Sequence, residues 1–204
     1  MLQKIITNIL TAVYQYFWVS MLFAFILMTC YLFVYEKNSS GQGVMKTLRL
    51  WLSHFKRSFD FRLLFFLVFY GALISFRTLL GRGFFANPLQ SVTGGWQLYI
   101  FDASGKNIVS TDGFENILLF IPFSFLLLWL LNTKQNRKSI AGSFFVSCIA
   151  VLIFSLIIEF SQMFFCLGTF QFADIVYNTS GGIIGGLIYL MCYGIVRAIK
   201  KNRH

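Results

Sequence analysis

Five apolar stretches dominate this sequence, near residues 13 to 35, 62 to 80, 116 to 131, 140 to 166 and 174 to 196. A helix rising 1.5 Å per residue needs roughly 20 mainly apolar residues to cross the hydrocarbon core of a bilayer, and fewer where polar flanks complete it. The pattern predicts an all-α, polytopic transmembrane bundle of five spans, with the third the shortest and the fourth the longest. Composition agrees: 57% of the residues are hydrophobic, 26 are Phe and only 12% are charged, against about 25% charge in soluble domains.

The charges that remain set a direction. Positive residues are retained on the cytoplasmic side of a membrane. With the N-terminus outside, thirteen of the seventeen Lys and Arg residues are cytoplasmic, and only Lys4, Arg77, Arg82 and Lys106 are not. The expectation is N-out and C-in. A net charge of +10 does not indicate a nucleic-acid partner, because the basic residues are parcelled out between apolar segments instead of gathered on one wet face.

The expected partners are membrane lipids. Residues 1–61 read as a first span followed by a cytoplasmic linker, and residues 62–204 as a four-helix membrane domain with an outer loop at 81–115. In the linker, Val44, Leu48, Trp51, Leu52, Phe55 and Phe59 recur at helical spacing while Lys46, Arg49, Lys56 and Arg57 fall mostly elsewhere. That is a basic amphipathic helix lying on anionic headgroups, or docking a partner. The outer loop carries Phe84, Phe85, Trp96, Tyr99 and Phe101, as an interfacial belt or as a roof over the helices. "QLYIFDASGKNIVST" suggests a small hairpin turning near Ala103, Ser104 and Gly105. Four cysteines form no C-x-x-C pair, and His54 and His204 are the only histidines, so neither a metal site nor a cofactor is expected.

Polar residues inside the spans fall at one end. In the expected topology Arg77, Asn116, Glu159, Gln162, Asp174 and Asn178 all belong to the outer side. Glu159 lies seven residues before Cys166, roughly 10 Å below the end of its helix. A carboxylate there should face the bundle and have a partner, and Arg77 is the expected one. Glu159 and Gln162 share one helix face, as do Asp174 and Asn178. Below the latter pair, Gly181, Gly182, Gly185 and Gly186 overlay two G-x-x-x-G spacings that admit a close neighbour. Pro122 removes a backbone donor and predicts a bend in the third span. Simpler roles stand beside these: Asp174 and Asn116 as helix N-caps, and Glu159 with Arg77 as a structural pair.

Taken together, "ENILLFIPFSFLL", "EFSQ" and "GTFQFADIVYNTSGGIIGG" resemble the signature segments of the VanZ-like family of bacterial membrane proteins, in their usual order, and "GRGFFANPL" resembles the segment ahead of them. The resemblance runs over about residues 62 to 196, with the first span and linker as additions. It assigns Arg82, Asn87 and Pro88 to the first segment, Asn116, Phe120 and Pro122 to the second, Glu159 and Gln162 to the third, and Asp174, Asn178 and Gly182 to the last. Thr169 and Gln171 depart from the charged residues common there, and Ser124 from a common glycine. The resemblance implies a multi-pass protein of the bacterial cell membrane linked to resistance to teicoplanin-type glycopeptides, with a glycopeptide or cell-wall precursor as an outer-face partner. A membrane enzyme acting on a lipid-linked or phospholipid headgroup, with Glu159 or Asp174 as base and Arg77 or Arg82 on phosphate, is the alternative, and a scaffold without a site is a third.

Overall fold

The computed structural model describes residues 2–35, 44–80, 83–97, 99–101, 107–134 and 139–202. Five of its six helices are long and apolar enough to cross a membrane: α1 (Leu2–Tyr35), α3 (Phe59–Leu79), α4 (Asp112–Lys134), α5 (Ile140–Phe164) and α6 (Phe172–Lys201). A shorter helix, α2 (Val44–Arg57), follows α1. Two three-residue strands, β1 (Tyr99–Phe101) and β2 (Asn107–Val109), pair antiparallel as the expected hairpin. Residues 102 to 106, where its turn is expected, lie outside the described residues.

Four of the five spanning helices extend beyond the apolar stretches that announced them, while α5 ends two residues short of its own. The longest is α1, at 34 residues, and the shortest span is α3, at 21, so the expected order of lengths does not hold. The reason is local. Polar residues at a span's end can stay helical where side chains satisfy the terminal peptide groups. Ser58 caps α3 by accepting from Phe61 N, Ser139 caps α5 by accepting from Gly142 N, and Asp112 and Glu115 put negative charge in the first turn of α4.

Away from their ends the outward faces of the spans are mainly apolar: Trp18, Leu22, Phe145, Ile157, Leu187 and Met191 are exposed. A surface of that kind suits lipid, and buried apolar contact plays a smaller part between such helices than close packing does. The packing centres on α4, which touches α1, α3, α5 and α6, most extensively α6. The glycines of α6 serve two neighbours. A side chain at Gly181 or Gly185 would overlap the α4 backbone at Ile117 and Ile121, whereas Gly182 and Gly186 leave room for Val151 and Phe144 of α5. Ser124 of α4 donates to the Gly182 carbonyl, which ties the same seam.

Along α5 the buried stripe runs Ser143, Ser147, Val151, Ser155, Glu159, one residue every four. Across the bundle, Ala24, Met28 and Leu32 of α1 meet Phe61 and Phe65 of α3. Trp51 of α2 joins that cluster, stacked on Phe55 with ring centroids 5.0 Å apart. So α2 turns part of its apolar face to the protein and leaves Leu48 and Leu52 exposed. Pro122 does not interrupt α4, and its ring lies on the exposed side of the helix.

Candidate functional site: a latched polar end

The starts of α1, α4 and α6 and the ends of α3 and α5 share the end of the bundle where the hairpin lies. Glu115, in the first turn of α4, is the hub of three of them. Its Oε1 accepts from Asn8 Nδ2 of α1 and from Thr111 Oγ1, each at 2.7 Å, and its Oε2 accepts from Arg77 Nη2 of α3 at 2.7 Å. Both members of this ion pair are largely withdrawn from solvent, their side chains 17% and 7% exposed. Among the described residues, therefore, the ion pair of Arg77 is with Glu115 and not with Glu159 as expected. The last turn of α3 lies against the first turn of α4, and Glu159 faces elsewhere.

Glu159, 1% exposed, accepts at Oε2 from the backbone N–H of Gln171, 3.0 Å away. Gln171 is the N-cap residue of α6 and makes no side-chain cap bond there. The carboxylate thus satisfies a peptide donor in the turn between its own helix and the next. Three residues on, Gln162 Nε2 donates to the Thr78 carbonyl at 3.0 Å, joining α5 to the end of α3. Asn116 Nδ2 donates to Asp174 Oδ1 at 2.8 Å, joining α4 to α6, and Asn178 Nδ2 donates to Ser155 Oγ at 2.9 Å, joining α6 to α5. Each of these residues latches one helix to another element. The simple capping roles fail, because both helices begin earlier than their apolar runs: Asp174 is the third residue of α6 and Asn116 the fifth of α4. Arg82 lies outside the described residues.

Residues 83–97 fold over this end. Phe85 N–H donates to the Cys166 carbonyl (2.8 Å), Phe170 N–H to the Pro88 carbonyl (2.9 Å) and Phe172 N–H to the Val92 carbonyl (3.1 Å). Asn87 shapes the loop by accepting from Leu89 N–H at its side chain and from Gln90 N–H at its carbonyl. The receiving turn is shaped too. Leu167 N–H reaches back to the Gln162 carbonyl and Cys166 N–H to the Met163 carbonyl, the paired bonds that close a helix on a left-handed residue. That residue is Cys166, at φ 52°, where glycine is usual.

The aromatic residues of the loop point outward. Phe84 is 80% exposed, and Phe164 and Phe165 at the end of α5 are 76% and 70% exposed. The Phe85–Cys166 backbone bond joins the chain next to Phe84 to the chain next to Phe165. Trp96 instead leans on Tyr177, with centroids 5.8 Å apart. Beneath it, Gly95, Gln97, Ser110, Gly113 and Ile117 line a cavity of about 50 Å³, room for a water or two.

Residues 16–193 match the VanZ/LLP1 family. The chain belongs to the VanZ/LLP1 family. The match begins inside α1, well ahead of the 62–196 stretch that carries the motifs, and so takes in most of α1 and all of α2. Five membrane-length helices in this family make the chain a multi-pass bacterial membrane protein. It is similar to Protein VanZ of Enterococcus faecium, 35% identical over 90 residues, which is 44% of this chain and 45% of that protein. The alignment therefore spans less than half the length of that relative. No solved structure matches the chain.

Several members of this polar end carry no signal in the motifs: Asn8, Thr78, Thr111, Glu115 and Ser155. Ser155 was accessible as one of the serines spaced by four along α5. Glu115, at the edge of an apolar run, has the appearance of an ordinary polar flank.

Proposed function

We infer that this chain is a non-enzymatic envelope protein of the VanZ type, which lowers the susceptibility of its cell to a teicoplanin-type lipoglycopeptide at the outer leaflet. The observation that carries this reading is the exposure of Phe84, on a loop clamped by three backbone hydrogen bonds, and of Phe164 and Phe165 at the end of α5 where that loop is received. Rings presented at an interface suit the acyl chain of a lipoglycopeptide, and a clamped backbone limits the ordering cost of binding it. The charge count supports placing this end outside. Arg77, Glu115, Asn116 and Asp174 hold one another, which favours a role in fixing this end over a role in turning over a substrate.

Expression in a teicoplanin-susceptible bacterium tests the reading. Wild type should raise the inhibitory concentration. The double substitution Phe84→Ser and Phe165→Ser should abolish the increase with unchanged abundance in the membrane, because neither ring is buried. A wild-type protein that reaches the membrane and leaves teicoplanin susceptibility unchanged refutes it.

A further inference from the structure

A cavity of about 470 Å³ opens at the opposite, basic end of the bundle, lined by Asn132, Ile140, Tyr193, Val196, Arg197 and Lys200. It lies among the last turns of α4, the start of α5 and the final turns of α6. Four of its residues come from one face of α6, at spacings of three, four and seven. The polar wall is fixed in place: Asn132 Nδ2 donates to Tyr189 OH at 2.9 Å, and the Tyr189 ring stacks on Tyr193 with centroids 6.2 Å apart. The start of α5 adds the positive pole of a helix.

The acids of the three helices that form the cavity, Asp112 and Glu115 of α4, Glu159 of α5 and Asp174 of α6, all lie toward their opposite ends. No Asp or Glu occurs anywhere in residues 116–158 or 175–204. A volume of this size falls in the range of small-ligand sites. It is open at the level where a cation-rich helix end meets the headgroups, with Ile140 and Val196 on its apolar side. Basic pockets between membrane helices suit anionic headgroups.

We propose that this cavity is a binding site for the phosphate headgroup of an anionic glycerophospholipid. The Arg197 guanidinium and the Lys200 ammonium hold the phosphate, Asn132 and Tyr193 hydrogen-bond the headgroup, and the first acyl carbons run over Val196 and Ile140. The fork of the guanidinium matches two phosphate oxygens, and the ammonium adds a point charge. One specific lipid per chain distinguishes this site from the diffuse attraction that α2 exerts with Arg49 and Lys56.

The test uses the full chain, purified in detergent, stripped of lipid and titrated with phosphatidylglycerol or phosphatidylcholine, with bound lipid counted by native mass spectrometry. Wild type should bind one phosphatidylglycerol in preference to phosphatidylcholine. Loss of one cation at an anionic headgroup lowers affinity about fivefold, so Arg197→Gln with Lys200→Gln should lose about 25-fold. Val196→Trp keeps both charges and fills the cavity, and it should lose the site as well. Arg49→Gln with Lys56→Gln should retain it. The proposal is overturned if that α2 pair weakens binding as much as the α6 pair, or if Val196→Trp binds normally. Inorganic phosphate separates the sources: a lipid site keeps its lipid in phosphate buffer, and displacement by phosphate alone overturns the lipid assignment.

Discussion

Replacing Glu115 by Ala should be among the most damaging single changes in the chain. Its carboxylate answers three donors, and the guanidinium at 2.7 Å is only 17% exposed on its side chain. Removing one partner of a buried pair strands the other, at a cost of about 3–5 kcal/mol. Asn8 and Thr111 lose an acceptor too, and Thr111, itself buried, adds to that cost. At about 2–4 °C per kcal/mol for a chain of this size, the melting temperature in detergent should fall by about 10 °C. A double-mutant cycle sharpens the point. Arg77→Met combined with Glu115→Leu should be far milder than the sum of the single changes, a coupling of about 2–4 kcal/mol. The same cycle between Arg77 and Glu159→Leu should give a coupling near zero, since those residues act on different elements. Thermal unfolding followed by circular dichroism reads both cycles. A larger coupling for Arg77 with Glu159 than with Glu115 would refute the assignment of the ion pair and restore the pairing expected from sequence.

Two glycines of α6 should respond oppositely to Ala. At Gly185 the new Cβ overlaps the Ile121 carbonyl and lies 2.6 Å from Ser124 Oγ, so the α4–α6 seam must open. A loss of about 2 kcal/mol is expected, measured by the same melts. At Gly194 nothing lies within 4 Å, and better helix propensity should stabilise by up to about 1 kcal/mol. Cys166→Gly should keep or raise stability by up to about 1 kcal/mol, since φ 52° costs a side chain and not glycine, whereas Cys166→Val should lower it and loosen the loop held by the Cys166 carbonyl. Orientation is tested by Leu89→Cys in a version lacking the four native cysteines. This exposed loop position should react with an impermeant maleimide on intact cells, and labelling only after lysis would reverse the topology.

How much of this was legible depended on which chemistry each feature uses. The spans were legible because lipid demands long apolar runs, and the close packing of α6 because glycine at spacings of four has few other uses in such a run, although the partner helix was not. The direction of the polar groups was legible too: Glu159, Gln162, Asp174, Asn178 and Asn116 do share one end with Arg77. Their pairings were not. Choosing between Glu115 and Glu159 for Arg77 requires knowing which helix α3 lies against, a fact carried by packing along the whole length of α4. Asn8 carries no such signal because the first ten residues look too polar for a span, although α1 begins at Leu2.

The loop clamp was the least legible feature, for a further reason. It consists of peptide groups of residues 85, 88, 92, 166, 170 and 172 bonding to one another, and side-chain patterns encode such bonds only through the turns that aim them. Two of those aiming devices are written in the chain, Asn87 before Pro88 and the turn at Cys166. This gives the polar motifs a common physical task. Glu159 supports the α5–α6 turn at Gln171 N–H, Gln162 holds the end of α5 to α3 and at its own carbonyl closes the Cys166 turn, and Asp174 with Asn116 fixes the start of α6. Loss of any one should loosen the turn that receives the loop before it unfolds the bundle. Hydrogen exchange should therefore rise first at Phe85, Phe170 and Phe172 in Gln162→Ala, ahead of the α4–α6 seam. Uniform exchange across both regions would show that the latches hold the whole bundle and not the clamped end.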